Sequence, residues 1–98
     1  MAKYIISQKA IEDLDGIWEY TLNTWSEEQA DRYYAHLTQS IAILTKLPEF
    51  LGQDFNIVKP GLWGYHVGRH IIFYRKDVDG TVWIERVLHE RMDYNRHI

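Results

Sequence analysis

The strongest constraint in this chain is the stretch from Tyr65 to His89, the one part that reads as a connected sheet. Within it, Ile71 to Tyr74 is an unbroken run of large apolar residues. It is too short for a helix and too rich in β-branched and aromatic side chains for a loop. Such a run is expected as a central strand covered on both faces. Asp77-Val78-Asp79-Gly80 then supplies an Asp-Gly turn signal, and Thr81 to Leu88 returns as a second β-rich run, so the two make a hairpin. Strict alternation puts Val82, Ile84, Arg86 and Leu88 on one face of the return strand and Trp83, Glu85, Val87 and His89 on the other. One face is then the more apolar. Leu62 to Val67 is a third strand, with Gly68 turning it into the central one.

Everything before this stretch is expected to cover it. Tyr4-Ile5-Ile6 is a short strand ending at Ser7, a good N-cap for a helix starting near Gln8. Ile11, Leu14, Trp18 and Leu22, with Ala10 and Ile17 beside them, recur at the spacing that lines one helix face. Glu12, Asp13 and Glu19 occupy the opposite, solvated face. Gly16 costs this helix about 1 kcal/mol relative to Ala, either for close helix packing or because the position tolerates it. Asn23 to Ser26 interrupts the pattern, and Ser26-Glu-Glu-Gln29 restarts it with a capping box. Ala30, Tyr34, Leu37, Ile41 and Leu44 form the stripe of the second helix, which Pro48 closes. Residues 48–61 read as a loop held down by Phe50, Leu51 and Phe55. The segment from Glu90 to Ile98 reads as a short helix or tail with too few apolar residues to dock strongly. The predicted fold is α+β, one domain over residues 1–98. It has an N-terminal strand, an antiparallel helical hairpin packed on a small, mainly antiparallel sheet, and a short C-terminal helix or tail.

A chain of 98 residues buries roughly 60 to 70% of its unfolded surface, enough for a core without metals or disulfides. The absence of cysteine excludes disulfide frameworks, thiolate zinc sites and cysteine nucleophiles together. No stretch approaches the length of a membrane helix, and residues 1–7 lack the apolar core of a signal peptide, so a cytoplasmic protein without a membrane partner is expected. Net charge is only -3, but residues 1–58 hold four Lys/Arg against nine Asp/Glu, whereas residues 59–98 hold seven against five together with four of the five histidines. The sheet half is therefore mildly basic.

Several side chains have a plain and a sharper reading. His66 and His70 flank a turn and lack a third ligand for a metal. Tyr33 and Tyr34 sit at the edge of an apolar stripe, where core packing outweighs base stacking. Arg75 and Lys76 are ordinary solvated charge at a strand exit. Trp63 and Trp83 are either core or partner anchors. Arg86 interrupts an apolar face and needs a carboxylate or an open edge.

The order strand, helix, helix, three strands, short tail, together with Val67-Gly-Arg-His-Ile-Ile-Phe-Tyr-Arg75 and Glu85-Arg-Val-Leu-His89, resembles the RelE/ParE superfamily of bacterial toxins over essentially the whole chain. Ser7, Ala10, Asp13-Leu14 and Ile17-Trp-Glu-Tyr20 resemble the first helix of the ParE branch, and Arg86-Val-Leu-His-Glu-Arg-Met-Asp93 resembles its ending. The resemblance implies the toxin of a type II toxin-antitoxin pair, neutralised by a ParD-like antitoxin and touching DNA only through the antitoxin complex. ParE-branch members poison DNA gyrase, and RelE-branch members cut messenger RNA on the ribosome. Neither activity calls for a cofactor or a metal.

The two branches make different chemical demands. RNA cleavage by a 2'-hydroxyl needs a base, an acid and cations for the developing phosphorane charge. Arg69, His70, Arg86, His89, Arg91 and Tyr94 are the candidates, yet Leu88, His89 and Glu90 stand where the RelE branch is rich in Lys/Arg. The expectation is a toxin with no catalytic residue that engages a protein target through Trp63, Arg69, Arg86, His89, Arg91, Met92 and Tyr94. The alternatives are a ribosome-dependent endoribonuclease using His89, Arg91 and Tyr94, or a degenerate member that binds only antitoxin.

Overall fold

The sheet is built around β4, His70–Lys76, whose residues 71–74 are buried on both faces as the apolar run requires. The structure is a computed structural model that describes residues 3–46 and 52–98. The other strands are β1 (Tyr4–Ile6), β2 (Gln53–Asp54), β3 (Trp63–Val67) and β5 (Val82–His89), and the sheet order is β1-β5-β4-β3-β2. All neighbours are antiparallel except β1 and β5, which run parallel. The turn from β4 to β5 closes with Gly80 N–H donating to Asp77 O at 3.0 Å and Asp77 N–H to Thr81 O at 2.9 Å. The short edge strand β2 lies inside the stretch expected as a loop, and Pro48, Phe50 and Leu51 fall outside the described residues.

Helix α1 (Gln8–Thr24) begins where Ser7 Oγ accepts from Ala10 N–H at 3.0 Å, and α2 (Glu27–Leu44) begins where Ser26 Oγ accepts from Gln29 N–H at 3.1 Å. Both serines thus satisfy an N–H that helix geometry leaves unpaired. Asn23 and Thr24 remain helical, so only Trp25 and Ser26 join the helices. The buried stripe of α1 runs through Ala10, Leu14 and Ile17, rotated from the expected line, because Ile11 is exposed. Trp18 is half-buried and donates its indole N–H to Asp31 at 2.9 Å, linking the two helices. A Cβ at Gly16 would meet nothing within 4 Å, so that glycine is tolerated and makes no close packing.

The helical hairpin covers one face of the sheet, where Leu14, Leu37, Ile41 and Leu44 pack with Val67, Ile72, Tyr74, Val82, Ile84 and Val87. A second cluster of Phe55, Leu62, Ile71, Phe73 and Leu88 fills the other face. Strict alternation along β5 fails at one place. Phe73 pairs with Arg86 but Tyr74 with Ile84, so Glu85 is an extra residue, a β-bulge. The bulge reverses the parity of everything after it. Val87 therefore joins the helix side and Leu88 the opposite cluster, correcting the reading that grouped Leu88 with Val82 and Ile84 and leaving neither face polar.

That second apolar face explains a further correction. The C-terminal segment docks on its own domain, through α3 (Tyr94–His97). The Tyr94 ring sits 5.7 Å from Phe55 and 5.0 Å from Phe73 between centroids, its hydroxyl donates to Glu90 O, and Ile98 packs beside it. Few apolar residues suffice because Phe55 already covers much of the face. Phe55 approaches so closely that a Cβ at Gly64 would come within 2.5 Å of its ring.

Ile41 is 1% exposed under the hairpin. Ile41→Ala is expected to lower stability by about 2 to 5 kcal/mol in denaturant unfolding, and a change near zero would remove that stripe from the core.

Candidate functional site

Two neighbouring arrangements use the polar residues that the sequence singled out. The first begins where β1 stops. Beyond Ile84 no strand among the described residues lies beside the edge of β5, and side chains take over the ladder. Ser7 N–H donates to Ile84 O at 3.0 Å and Ser7 Oγ to Glu85 O at 2.7 Å. Asp13 Oδ2 then accepts from Val87 N–H at 3.0 Å. The same carboxylate takes Arg86 in a fork, Nε at 2.8 Å and Nη2 at 2.9 Å, while Arg86 Nη1 donates to His97 O at 2.6 Å. The hydrogen bonds that Arg86 donates to Asp13 hold the guanidinium pKa above its ordinary value, outweighing burial. Asp13 is thus not on a solvated face, and Arg86, expected to meet a target, is engaged within the fold.

The second is a groove of about 550 Å³ where the interhelix turn faces the β3–β4 turn. Gly68 has a φ of 57°, and the Tyr33 hydroxyl lies 2.7 Å from where a Cβ would stand. That hydroxyl accepts from Arg69 N–H at 3.1 Å and meets His70 Nδ1 at 2.7 Å, a shorter contact than its 3.3 Å to Val67 O. The phenol thus joins the β3–β4 turn backbone to His70, the direction of the bond to Nδ1 following the imidazole tautomer. His70 and His89 are cross-strand partners with rings 5.4 Å apart and nearly perpendicular. Burial first, and His89 second, lower the His70 pKa to about 4. Burial likewise raises the Tyr33 pKa. Both are uncharged near neutral pH. Tyr20, Trp25, Arg32 and Arg69 complete the walls.

On the sheet's other face the charges pair among themselves. Glu85 accepts from Lys59 at 2.9 Å and from Arg75, and Arg75 also lies 5.5 Å over the Trp83 ring. Burial pushes the Glu85 pKa up, but the hydrogen bonds from Lys59 and Arg75 outweigh it and hold the carboxyl below its usual value. His66 meets Glu90 at 2.9 Å, away from His70. Among the described residues no group of three side chains is arranged to hold a metal ion.

Of the residues expected in a target site, Arg69 and His89 come together in the groove, joined by His70. Arg91 and Met92 are exposed in the turn that follows, where Arg91 N–H donates to His89 Nδ1 at 3.2 Å. Trp63 packs against the helix-side core and Tyr94 in the opposite cluster. His89 thus lines the groove on the helix side, while the Tyr94 ring packs on the opposite face. Sequence reasoning missed Tyr20, Trp25 and Arg32. Their signal is the pair of aromatics lying off the buried stripe and flanking the interhelix turn.

Residues 4–94 match the family described as the ParE toxin of the type II toxin-antitoxin system parDE. The chain is 33% identical over 97 residues to Toxin ParE1 of Mycobacterium tuberculosis, covering 99% of this chain and 98% of that protein. It is 36% identical over 98 residues to Toxin ParE1 of Caulobacter vibrioides, covering 100% and 99%. In fold it is similar to a chain of the chromosomal ParDE toxin-antitoxin system from P. aeruginosa, with a TM-score of 0.71 and 18% identity over 90% of this chain and 92% of that one.

Asp13→Ala leaves both the Arg86 guanidinium and the Val87 N–H without their acceptor. It is expected to cost about 2 to 4 kcal/mol by denaturant unfolding, against less than about 1 kcal/mol for Asp15→Ala on the exposed side of the same helix. His70 has a folded pKa of about 4 and an ordinary value of 6.5, so between these pH values the unfolded chain binds more protons. Stability should fall as pH drops from 6.5 toward 4, and His70→Gln should flatten that slope in pH-dependent melting curves.

Proposed function

The chain belongs to the ParE toxin family of type II toxin-antitoxin systems, and on that premise we propose that it poisons DNA gyrase by binding and catalyses no reaction. A ParD-type antitoxin neutralises it in the cytoplasm. The observation that carries this reading is the separation of His89 from Tyr94 by the sheet itself. An RNA-cleaving site needs base, acid and cations around one phosphate, and of the candidates for that work Arg86 and Tyr94 are engaged away from the groove that holds Arg69, His70 and His89. Arg86, the strand cation nearest such a site in sequence, is committed to Asp13 and His97. With a net charge of -3, direct binding of DNA is also disfavoured, and operator contacts fall to the antitoxin.

The target-facing surface is best supported around Arg91 and Met92, which are exposed while Trp63 and Tyr94 are occupied with packing. An exposed cation beside an exposed thioether suits a protein surface. Arg69 and His89 adjoin it from the groove.

Purified protein is expected to inhibit gyrase supercoiling and to leave messenger RNA intact in a translating extract. Expression alone should arrest growth, and co-expression of the antitoxin encoded beside it should restore growth. Codon-specific cleavage without any effect on supercoiling would instead assign the ribonuclease activity.

A further inference from the structure

Among the surfaces of the molecule, the groove at the interhelix turn is the one whose composition is least explained by folding. Trp25 is 69% and Tyr20 68% exposed, although each carries a large apolar area that burial would stabilise. Neither covers the core. Arg32 and Arg69 stand among them, and among the described residues no carboxylate lines the groove. Among the described residues the Arg69 side chain has no ion-pair partner, and Arg32 is held only by Glu28 at 2.8 Å in a pair that is largely exposed on both sides. Such a pair contributes little and exchanges readily for another carboxylate. The floor, by contrast, is prearranged: Tyr33 is fixed by Arg69 N–H and His70, and His70 by Tyr33 and His89. A rigid floor with two aromatic walls and two cations is built to receive something.

We infer that this groove is the docking site for an acidic segment of the antitoxin that carries an aromatic or aliphatic anchor, with Trp25 and Tyr20 holding the anchor and Arg32 and Arg69 its carboxylates. This rests on the toxin reading above and specifies the chemistry of its neutralising partner. Charge complementarity names the occupant's sign. A nucleic-acid strand fits less well, because two permanent cations are too few to follow a phosphate backbone and the chain as a whole carries a net charge of -3. The location also accounts for neutralisation. The groove ends at His89, whose Nδ1 accepts from Arg91 N–H, so an occupant there abuts the turn proposed to face the target. It blocks that turn by covering it.

The test compares the wild type with Arg69→Glu and Trp25→Ala by titration calorimetry against the purified antitoxin that restores growth, at low and high salt. Both altered side chains project from the surface, and melting temperatures verify that the variants fold. Arg69→Glu is expected to weaken binding by tenfold or more and to reduce its salt dependence, and Trp25→Ala to weaken it by about tenfold. Folded variants that both bind the antitoxin as the wild type does would overturn the assignment. Oligo(dT) that binds the wild type and competes with the antitoxin would also overturn it, in favour of a nucleic-acid groove. The gyrase assay on the wild type separates the two readings. Inhibition with unaffected variants removes the groove alone, whereas weakened variants without gyrase inhibition remove the gyrase reading alone.

Discussion

The carboxylate of Asp13 is the interaction on which the rest of the structure depends. It replaces the strand that β5 lacks beyond the end of β1, accepting from Val87 N–H, and it neutralises Arg86 in the same geometry. Through Arg86 it reaches His97 O, so one side chain connects the first helix, the last strand and the C-terminal helix. A buried charge is costly when unpaired and tolerable when its hydrogen bonds are filled. Here Asp13 and Arg86 bond each other in a fork, and each makes one further bond to the backbone, Asp13 to Val87 N–H and Arg86 to His97 O.

The bulge at Glu85 is the second constraint, and the two are coupled. An extra residue places Val87 under the helices and Leu88 on the far side, so both faces of β5 carry apolar residues. The far face then needs its own cover, which comes from Phe55 and the docked tail. A chain of 98 residues thus builds two small cores on one sheet. The side chains that remain at the surface, Arg69, Arg91 and Met92 among them, are those that neither core nor junction uses.

The groove gathers its character from several elements at once. The β3–β4 turn brings Arg69, α2 brings Tyr33, and the strand pair brings His70 against His89. Burial keeps His70 neutral, so the permanent charge of the groove comes from its arginines.

Local chemistry in the chain was enough to determine the elements other than the two-residue strand β2. Ser7 and Ser26 announce helix starts, Ile71 to Tyr74 announces a strand buried on both faces, and Asp79-Gly80 announces a hairpin, because capping, burial and turn formation act over only a few residues. The helix stripes were readable to within one position, and the order of elements carried the family. What no local pattern contains is the register of β5 against β4. A single inserted residue at Glu85 moves Leu88 across the sheet, and with it the reason for the tail to dock. Nor does spacing along the chain reveal that Asp13 meets Arg86, 73 positions away, or that Tyr33 meets His70. Arg86 and the ring of Tyr94 looked available for a partner because their sequence neighbours do not occupy them. Residues distant along the chain do, once the sheet and helices have closed around them.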